Sequence, residues 1–209
     1  MRIIPAILAH SLDEFTMKVE RIRPLGQLVH IDVMDGKFVD NTTWARPQEV
    51  REILKGLEFE VHLMVAEPRK VIPLWCESGA SRLFFHPEAD ARPQEILDLP
   101  HDRCHIGLAI SPNVPAESLP ALLAKTHDCI VMGVQQGWSG QQLIPETLGK
   151  IRLIKAMNHR VKVTVDGGVN LKTVAAVDKA GADAAVMGSA LTDADDVRAV
   201  WDSLAPFRN

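Results

Sequence analysis

Short apolar runs rich in β-branched residues return at a steady interval along the whole chain, and this limits the fold more than any other feature. They occupy residues 3–8, 28–33, 58–64, 82–86, 105–110, 129–134, 161–165 and 184–187. Segments with helical spacing lie between them. In residues 145–157, Ile151 and Ile154 continue an apolar stripe and Pro145 suits a first turn; residues 171–180 and 193–204 behave likewise. Eight units sharing 209 residues have about 26 each, close to the least that a strand, a helix and two connections need. Nothing is left for a second domain, so residues 1–209 are expected to form one.

Strand and helix in alternation require parallel strands, and parallel sheets are buried on both faces, which accounts for the unbroken apolar character of residues 29–33. Two architectures satisfy this, a closed eightfold barrel and an open doubly wound sheet. A doubly wound nucleotide fold carries a glycine-rich turn after its first strand. Here Ala9-His10-Ser11-Leu12 follows and the glycines gather late, so the expected fold is α/β, a (β/α)8 TIM barrel. Ser78-Gly79-Ala80-Ser81 and Ala180-Gly181-Ala182-Asp183 each precede a strand, either as an echo between half-barrels or as glycines that end helices.

Charge and cysteine content narrow the partners. With 23 basic and 27 acidic residues the chain carries a formal charge of −4 and offers no basic face for nucleic acid and no polybasic arm for a membrane. Cys76, Cys104 and Cys129 form no CxxC pair, so neither a disulfide framework nor a thiolate zinc site is indicated. The first residues read as a strand and lack a signal-peptide pattern, and no uncharged apolar run approaches a membrane span. A cytoplasmic setting and a small, soluble partner are expected.

In a barrel of this kind chemistry sits at the C-terminal ends of the strands, and the unusual polar residues cluster there. His30, Asp32 and Met34 alternate onto one face of the second strand, His62 lies near the end of the third, His86 ends the fourth and Asp166 ends the seventh. Burying His beside Asp is costly without partners, so a metal, a hydrogen-bond network or a substrate must offset it. Two His and two Asp make a mixed nitrogen and oxygen donor set, suited to Zn, Mn, Fe or Co rather than to Ca or Mg. Met34 and Met64, each two residues beyond an inward ligand candidate, face either the barrel mouth or the core, and Met132 joins them from the sixth strand. Glu60 faces inward lower down. Glycine-bearing turns close the last strands at Gln136-Gly137-Trp138-Ser139-Gly140-Gln141, Asp166-Gly167-Gly168-Val169 and Gly188-Ser189, where backbone N–H groups can approach an anion.

With these residues in place, the chain resembles the ribulose-phosphate 3-epimerase family along nearly its whole length. Pro5-Ala6-Ile7-Leu8 looks like that family's opening strand, and His30-Ile31-Asp32-Val33-Met34-Asp35-Gly36-Lys37-Phe38-Val39 like its second-strand signature. Val61-His62-Leu63-Met64, Val134-Gln135-Gln136-Gly137-Trp138-Ser139-Gly140-Gln141, Val165-Asp166-Gly167-Gly168-Val169 and Met187-Gly188-Ser189-Ala190 resemble its third strand, mobile glycine loop, seventh-strand motif and phosphate end. The resemblance implies a barrel of the ribulose-phosphate-binding type with one divalent metal ion held by His30, Asp32, His62 and Asp166. Asp32 and Asp166 would also move protons. Met34, Met64 and Met132 would form an apolar wall by the reacting carbons, and Gly167, Gly168, Gly188 and Ser189, with the loop Gly137, Trp138, Ser139, Gly140 and Gln141, a phosphate grip and lid.

The implied activity is isomerisation of a phosphorylated ketose at C3, D-ribulose 5-phosphate to D-xylulose 5-phosphate, a step of the pentose phosphate pathway. A proton beside a ketone is too weakly acidic for a free carboxylate, so the enediolate needs a Lewis acid on its oxygens, and two aspartates on opposite faces permit removal on one side and return on the other. The resemblance also suggests a homo-oligomer, for which Trp44, Trp75, Trp138 and Trp201 leave room for a contact surface. Departures from the family pattern stand at Ala6 for serine, Gly133 for a hydroxyl residue, Gln136 for proline and Ser139 for glycine. The lost hydroxyl at Ala6, for which His10 or Ser11 is a candidate substitute, motivates a second substrate, the hexulose phosphate allulose 6-phosphate. A decarboxylase or aldolase using Lys37, and a non-catalytic sugar-phosphate-binding barrel, are the competing functions.

Overall fold

A computed structural model of the chain describes residues 1–26, 28–99 and 104–208. Eight strands, β1 (Arg2–Ile7), β2 (Leu28–Met34), β3 (Glu58–Met64), β4 (Arg82–Phe85), β5 (His105–Ile110), β6 (Asp128–Met132), β7 (Lys162–Asp166) and β8 (Ala184–Met187), pair in parallel in chain order. The β8 strand returns to β1 with Ile4 beside Val186, closing the (β/α)8 barrel that the sequence predicts. Outside it lie α1 (Leu12–Ile22), α2 (Pro47–Ile53), α3 (Pro68–Glu77), α4 (Pro93–Leu97), α5 (Pro120–Leu123), α6 (Thr147–Met157), α7 (Val174–Lys179), α8 (Ser189–Thr192) and α9 (Val197–Ser203). Among the described residues no helix is long and apolar enough to cross a membrane.

Residues at alternate positions of each strand divide between two layers. Ile31, Val61, Leu63, Leu83 and Phe85 point outward and pack with Phe15, Val19, Val50, Ile72 and Trp75 of the helices in one apolar layer. Burial of that layer removes apolar surface at about 25 cal/mol per Å2 and supplies most of the fold's driving force. Trp75 is only 2% exposed and belongs to this core, so it is unavailable for the surface contact expected of it. Trp44 packs on Phe15 with ring centroids 5.3 Å apart, and Trp138 stands exposed at the barrel mouth. Cys76 and Cys104 are hydrogen-bonded neighbours, and Cys129 is a buried thiol.

Three helices start later than their spacing predicts, α6 by two residues, with Pro145 in the turn before Thr147. In the segment 171–180 the side chains of Asn170 and Thr173 bond nearby backbone, Asn170 Oδ1 accepting from Lys172 N–H at 2.8 Å and Thr173 Oγ1 from Asn170 N–H at 2.9 Å, so α7 begins at Val174. The segment 193–204 is helical only from Val197, because the Asp196 carboxylate caps α9 by accepting from Ala199 N–H at 2.9 Å. Gly79 and Gly181 follow α3 and α7 with the same pair of closing bonds. Gly79 N–H donates to Cys76 O and Ala80 N–H to Trp75 O, and Gly181 N–H to Asp178 O and Ala182 N–H to Val177 O. These are helix-ending glycines in left-handed backbone, which accounts for the repeated tetrapeptide without any half-barrel echo.

Candidate active site

The register of β2 on β3 sets Asp32 beside His62 and Met34 beside Met64, and that of β6 on β7 sets Met132 beside Asp166. His30, Asp32, His62 and Asp166 thereby offer one donor atom each within 4.8 Å of one another. Nδ1 of His62 lies 3.2 Å from Asp32 Oδ1 and 3.1 Å from Asp166 Oδ2, while Nε2 of His30 stands 3.5 Å and 3.7 Å from the same oxygens. Burial pushes the Asp32 carboxyl up, but the two imidazoles more than offset this and hold it well below the usual carboxylate range. The same proximity raises both histidines against the downward pull of burial.

Glu60, whose partners are not apparent in the sequence, lies beneath this group and sets its orientation. It is completely buried and accepts a hydrogen bond from His30 Nδ1 at 2.7 Å and another from Arg82, which reaches Asp128 at 3.0 Å with its second nitrogen. Burial raises the Glu60 carboxyl, and His30 with Arg82 reverses the direction and keeps it low. With Nδ1 of His30 donating to Glu60, Nε2 points at the two aspartates and would present its lone pair to an ion held there. It is a buried nitrogen with no hydrogen-bond partner among the described residues. An orphaned donor atom at a converging set of two nitrogens and two carboxylates fits a divalent metal ion.

His86 stays out of this group. It lies one residue beyond β4, behind His62, with its Nε2 2.9 Å from His62 Nε2, and burial pushes it down to about 4, so the ring is neutral.

Above the four residues opens a cavity of about 310 Å3, at the small end of the range for small-molecule sites. Its lining includes Asp32 and Asp166, the three methionines Met34, Met64 and Met132, the loop from Gly137 to Gln141, and Gly167, Gly168, Gly188 and Ser189. His30 and His62 lie beneath its floor. The positive φ of Gly167 and Gly168 lets the turn after β7 pass tightly, and a Cβ at Gly168 would meet Leu143 N at 2.5 Å. Gly133, where the family pattern has a hydroxyl residue, is equally constrained, since a Cβ there would lie 2.1 Å from Gly167 O.

Several lining residues escape sequence reasoning. Lys18 is the one Lys or Arg among the described lining residues, and its ammonium is taken up by Leu8 O at 2.8 Å, Glu14 at 3.0 Å and Asp193 at 3.2 Å. Its place on the buried face of α1 with Phe15, Val19 and Ile22 is a signal the spacing does carry. Asn170 and Asp193 carry no such signal. Neither candidate substitute for the hydroxyl missing at Ala6 reaches the cavity: His10 bonds Thr42 O at 2.8 Å, and Ser11 caps α1 by accepting from Glu14 N–H at 3.2 Å. Lys37 sits on the exposed turn after β2, outside the lining.

The pattern of the ribulose-phosphate 3 epimerase family matches residues 2–192. The ribulose-phosphate 3-epimerase of Schizosaccharomyces pombe is 34% identical over 210 residues, covering 97% of this chain and 92% of that protein. The Escherichia coli K12 protein of the same name is 32% identical over 211 residues, covering 97% and 93%. Among solved structures, KGPDC from Streptococcus mutans superposes with a TM-score of 0.74 at 13% identity over 98% of this chain and 95% of that one. The 3-hexulose-6-phosphate synthase of Salmonella typhimurium does so at 0.74 and 16% identity over 99% and 97%, a likeness of fold.

Proposed function

Since the chain belongs to the ribulose-phosphate 3-epimerase family, we propose that it inverts C3 of a phosphorylated ketose, D-ribulose 5-phosphate and D-xylulose 5-phosphate being the pair. The observation that carries this is the placement of Asp32 on β2 and Asp166 on β7, each within about 3 Å of the same imidazole nitrogen and both open to the cavity.

Asp32, held ionised, takes the proton from one face of C3, and Asp166 gives one to the other face. In the reverse direction the two exchange roles. After each passage the proton rests on the opposite carboxylate, and exchange with water restores the pair. His30, Asp32, His62 and Asp166 would hold Zn, Mn, Fe or Co, and a bound ion would supply positive charge near the carbonyl oxygen that becomes negative as the C3 proton leaves. Met34, Met64 and Met132 present polarizable, proton-free surface that keeps water from the carbanion. Lys18 is engaged with two carboxylates and a carbonyl, so the substrate phosphate falls to backbone N–H groups of the turns at Gly167-Gly168 and Gly188-Ser189.

Turnover in deuterium oxide should place deuterium at C3 of both pentulose phosphates, and chelation should stop it until metal is returned. A metal-loaded chain that neither exchanges nor epimerises them would end the proposal. One observation favours a second substrate of the same reaction: beside Gly188 the cavity wall carries the methyl group of Ala6 and not a serine hydroxyl. Comparing kcat/KM for D-ribulose 5-phosphate and allulose 6-phosphate decides between them.

A further inference from the structure

His62 turns Nδ1 toward Asp32 and Asp166, so a lone pair there requires its proton on Nε2. That nitrogen faces Nε2 of His86 at 2.9 Å, and both rings are fully buried. Two facing protons would clash and two facing lone pairs would leave both nitrogens without a donor. His86 therefore accepts at Nε2 and carries its own proton on Nδ1, which lies 3.0 Å from Ser111 Oγ. The Ser111 hydroxyl in turn donates to Glu88 Oε1, and the amide of Gln136 donates to Ser111 Oγ at 3.0 Å, filling its second acceptor position. The Phe38 ring packs on His86 with centroids 4.8 Å apart and fixes its plane.

With Nδ1 of His62 left as a lone pair for a metal ion, one assignment of protons satisfies every member of this chain, and it runs outward from His62 to a partly exposed carboxylate. The opposite direction needs a protonated Glu88 and puts a proton on His62 Nδ1. His86, Ser111 and Glu88 lie outside the cavity lining. We propose that Glu88, Ser111 and His86 are positioning residues that hold His62 in the tautomer and ring orientation a metal ion requires, an inference that rests on the reading of His62 as a metal ligand.

The test is the affinity of the full chain for Co(II), measured by competition with a chromophoric chelator in the parent, Glu88→Ala and Ser111→Ala. Glu88 is partly exposed, so its variant carries little risk of misfolding. Both variants should bind Co(II) about tenfold more weakly, with metal-free melting temperatures shifted by no more than about 2 °C. Saturating metal should restore most of kcat with KM unchanged. In the zinc-loaded parent, long-range 1H–15N spectra should find the proton of His62 on Nε2 and that of His86 on Nδ1. Affinities within about twofold of the parent, or a proton on His62 Nδ1, overturn the inference while leaving the metal site standing. A parent chain that binds no Co(II) overturns the metal reading and this inference together.

Discussion

Asp32 and Asp166 differ in their surroundings although both touch the same imidazole. Both lie near His30 and His62, but Asp32 shares a strand with His30, whereas Asp166 arrives from β7, beyond β1 and β8. Each of Asp32→Asn and Asp166→Asn should lower kcat by about a thousandfold, within the range for losing one acid or base. The two variants should nevertheless differ in isotope exchange. With one base left, each should wash the C3 hydrogen out of only one of the two epimers, and proton exchange measured by NMR in deuterium oxide checks this. Exchange of both epimers in both variants would contradict the two-base assignment. Glu60 supports a separate expectation. Glu60→Ala leaves Arg82 and His30 without their shared carboxylate inside the barrel and should cost about 3–5 kcal/mol in a denaturant melt. The four ligand candidates are legible in the sequence because each stands near the end of an apolar run where a polar side chain is out of pattern. The partners of Glu60 are not legible, because the pairing that sets Glu60 beside Arg82 depends on how β3 and β4 slide past each other.

The loops over the barrel are joined by short polar clips. Asp35 is the clearest, its Oδ1 accepting from Lys37 N–H at 2.9 Å and Phe38 N–H at 3.0 Å, and its Oδ2 from Ala66 N–H at 2.9 Å. It thereby fastens the loop after β2 to the loop after β3, the two strands that carry His30, Asp32 and His62. Burial pushes the Asp35 carboxyl up, but these three amides outweigh it and hold it below its usual range. A depressed carboxylate stabilises the fold above its unfolded value, near 3.9, and loses that contribution as pH falls through the lower, folded value. Asp35→Ala should therefore cost about 1–2 kcal/mol at neutral pH, and the gap to the parent should close in acid. A gap that did not narrow as the pH fell would refute the clip. Helix positions are legible where apolar spacing is long, as in α6, where Ile151 and Ile154 are fully buried. They fail where Asn170, Thr173 or Asp196 offers the backbone a side-chain partner, since spacing does not register that competition.

At the scale of the molecule, eight parallel strands are legible because double burial leaves its mark on every run, and closure follows because no early glycine turn marks an open sheet. Which side chains meet across the barrel is a different matter, since β2 and β7 are separated by β1 and β8 on one side and four strands on the other. Asp166 reaches His62 only because the barrel closes, and a metal ion held by all four residues would therefore tie together strands that are not neighbours. Such an ion binds the folded chain alone, because the unfolded chain has no such convergence. At a hundredfold excess over its dissociation constant it adds about 2.7 kcal/mol of stability, and for a chain of this size each kcal/mol moves the melting temperature by about 2–4 °C. Zinc in that excess should thus raise the melting temperature over a chelator-treated sample by about 5–10 °C. Asp166→Ala removes the donor from the far strand and should lose most of the shift while keeping the circular dichroism of the barrel. A Lys37→Ala control, changed on the exposed turn outside the cavity, should keep the full shift. Equal shifts in the parent and Asp166→Ala would mean that zinc binds elsewhere and that β7 plays no part in holding it.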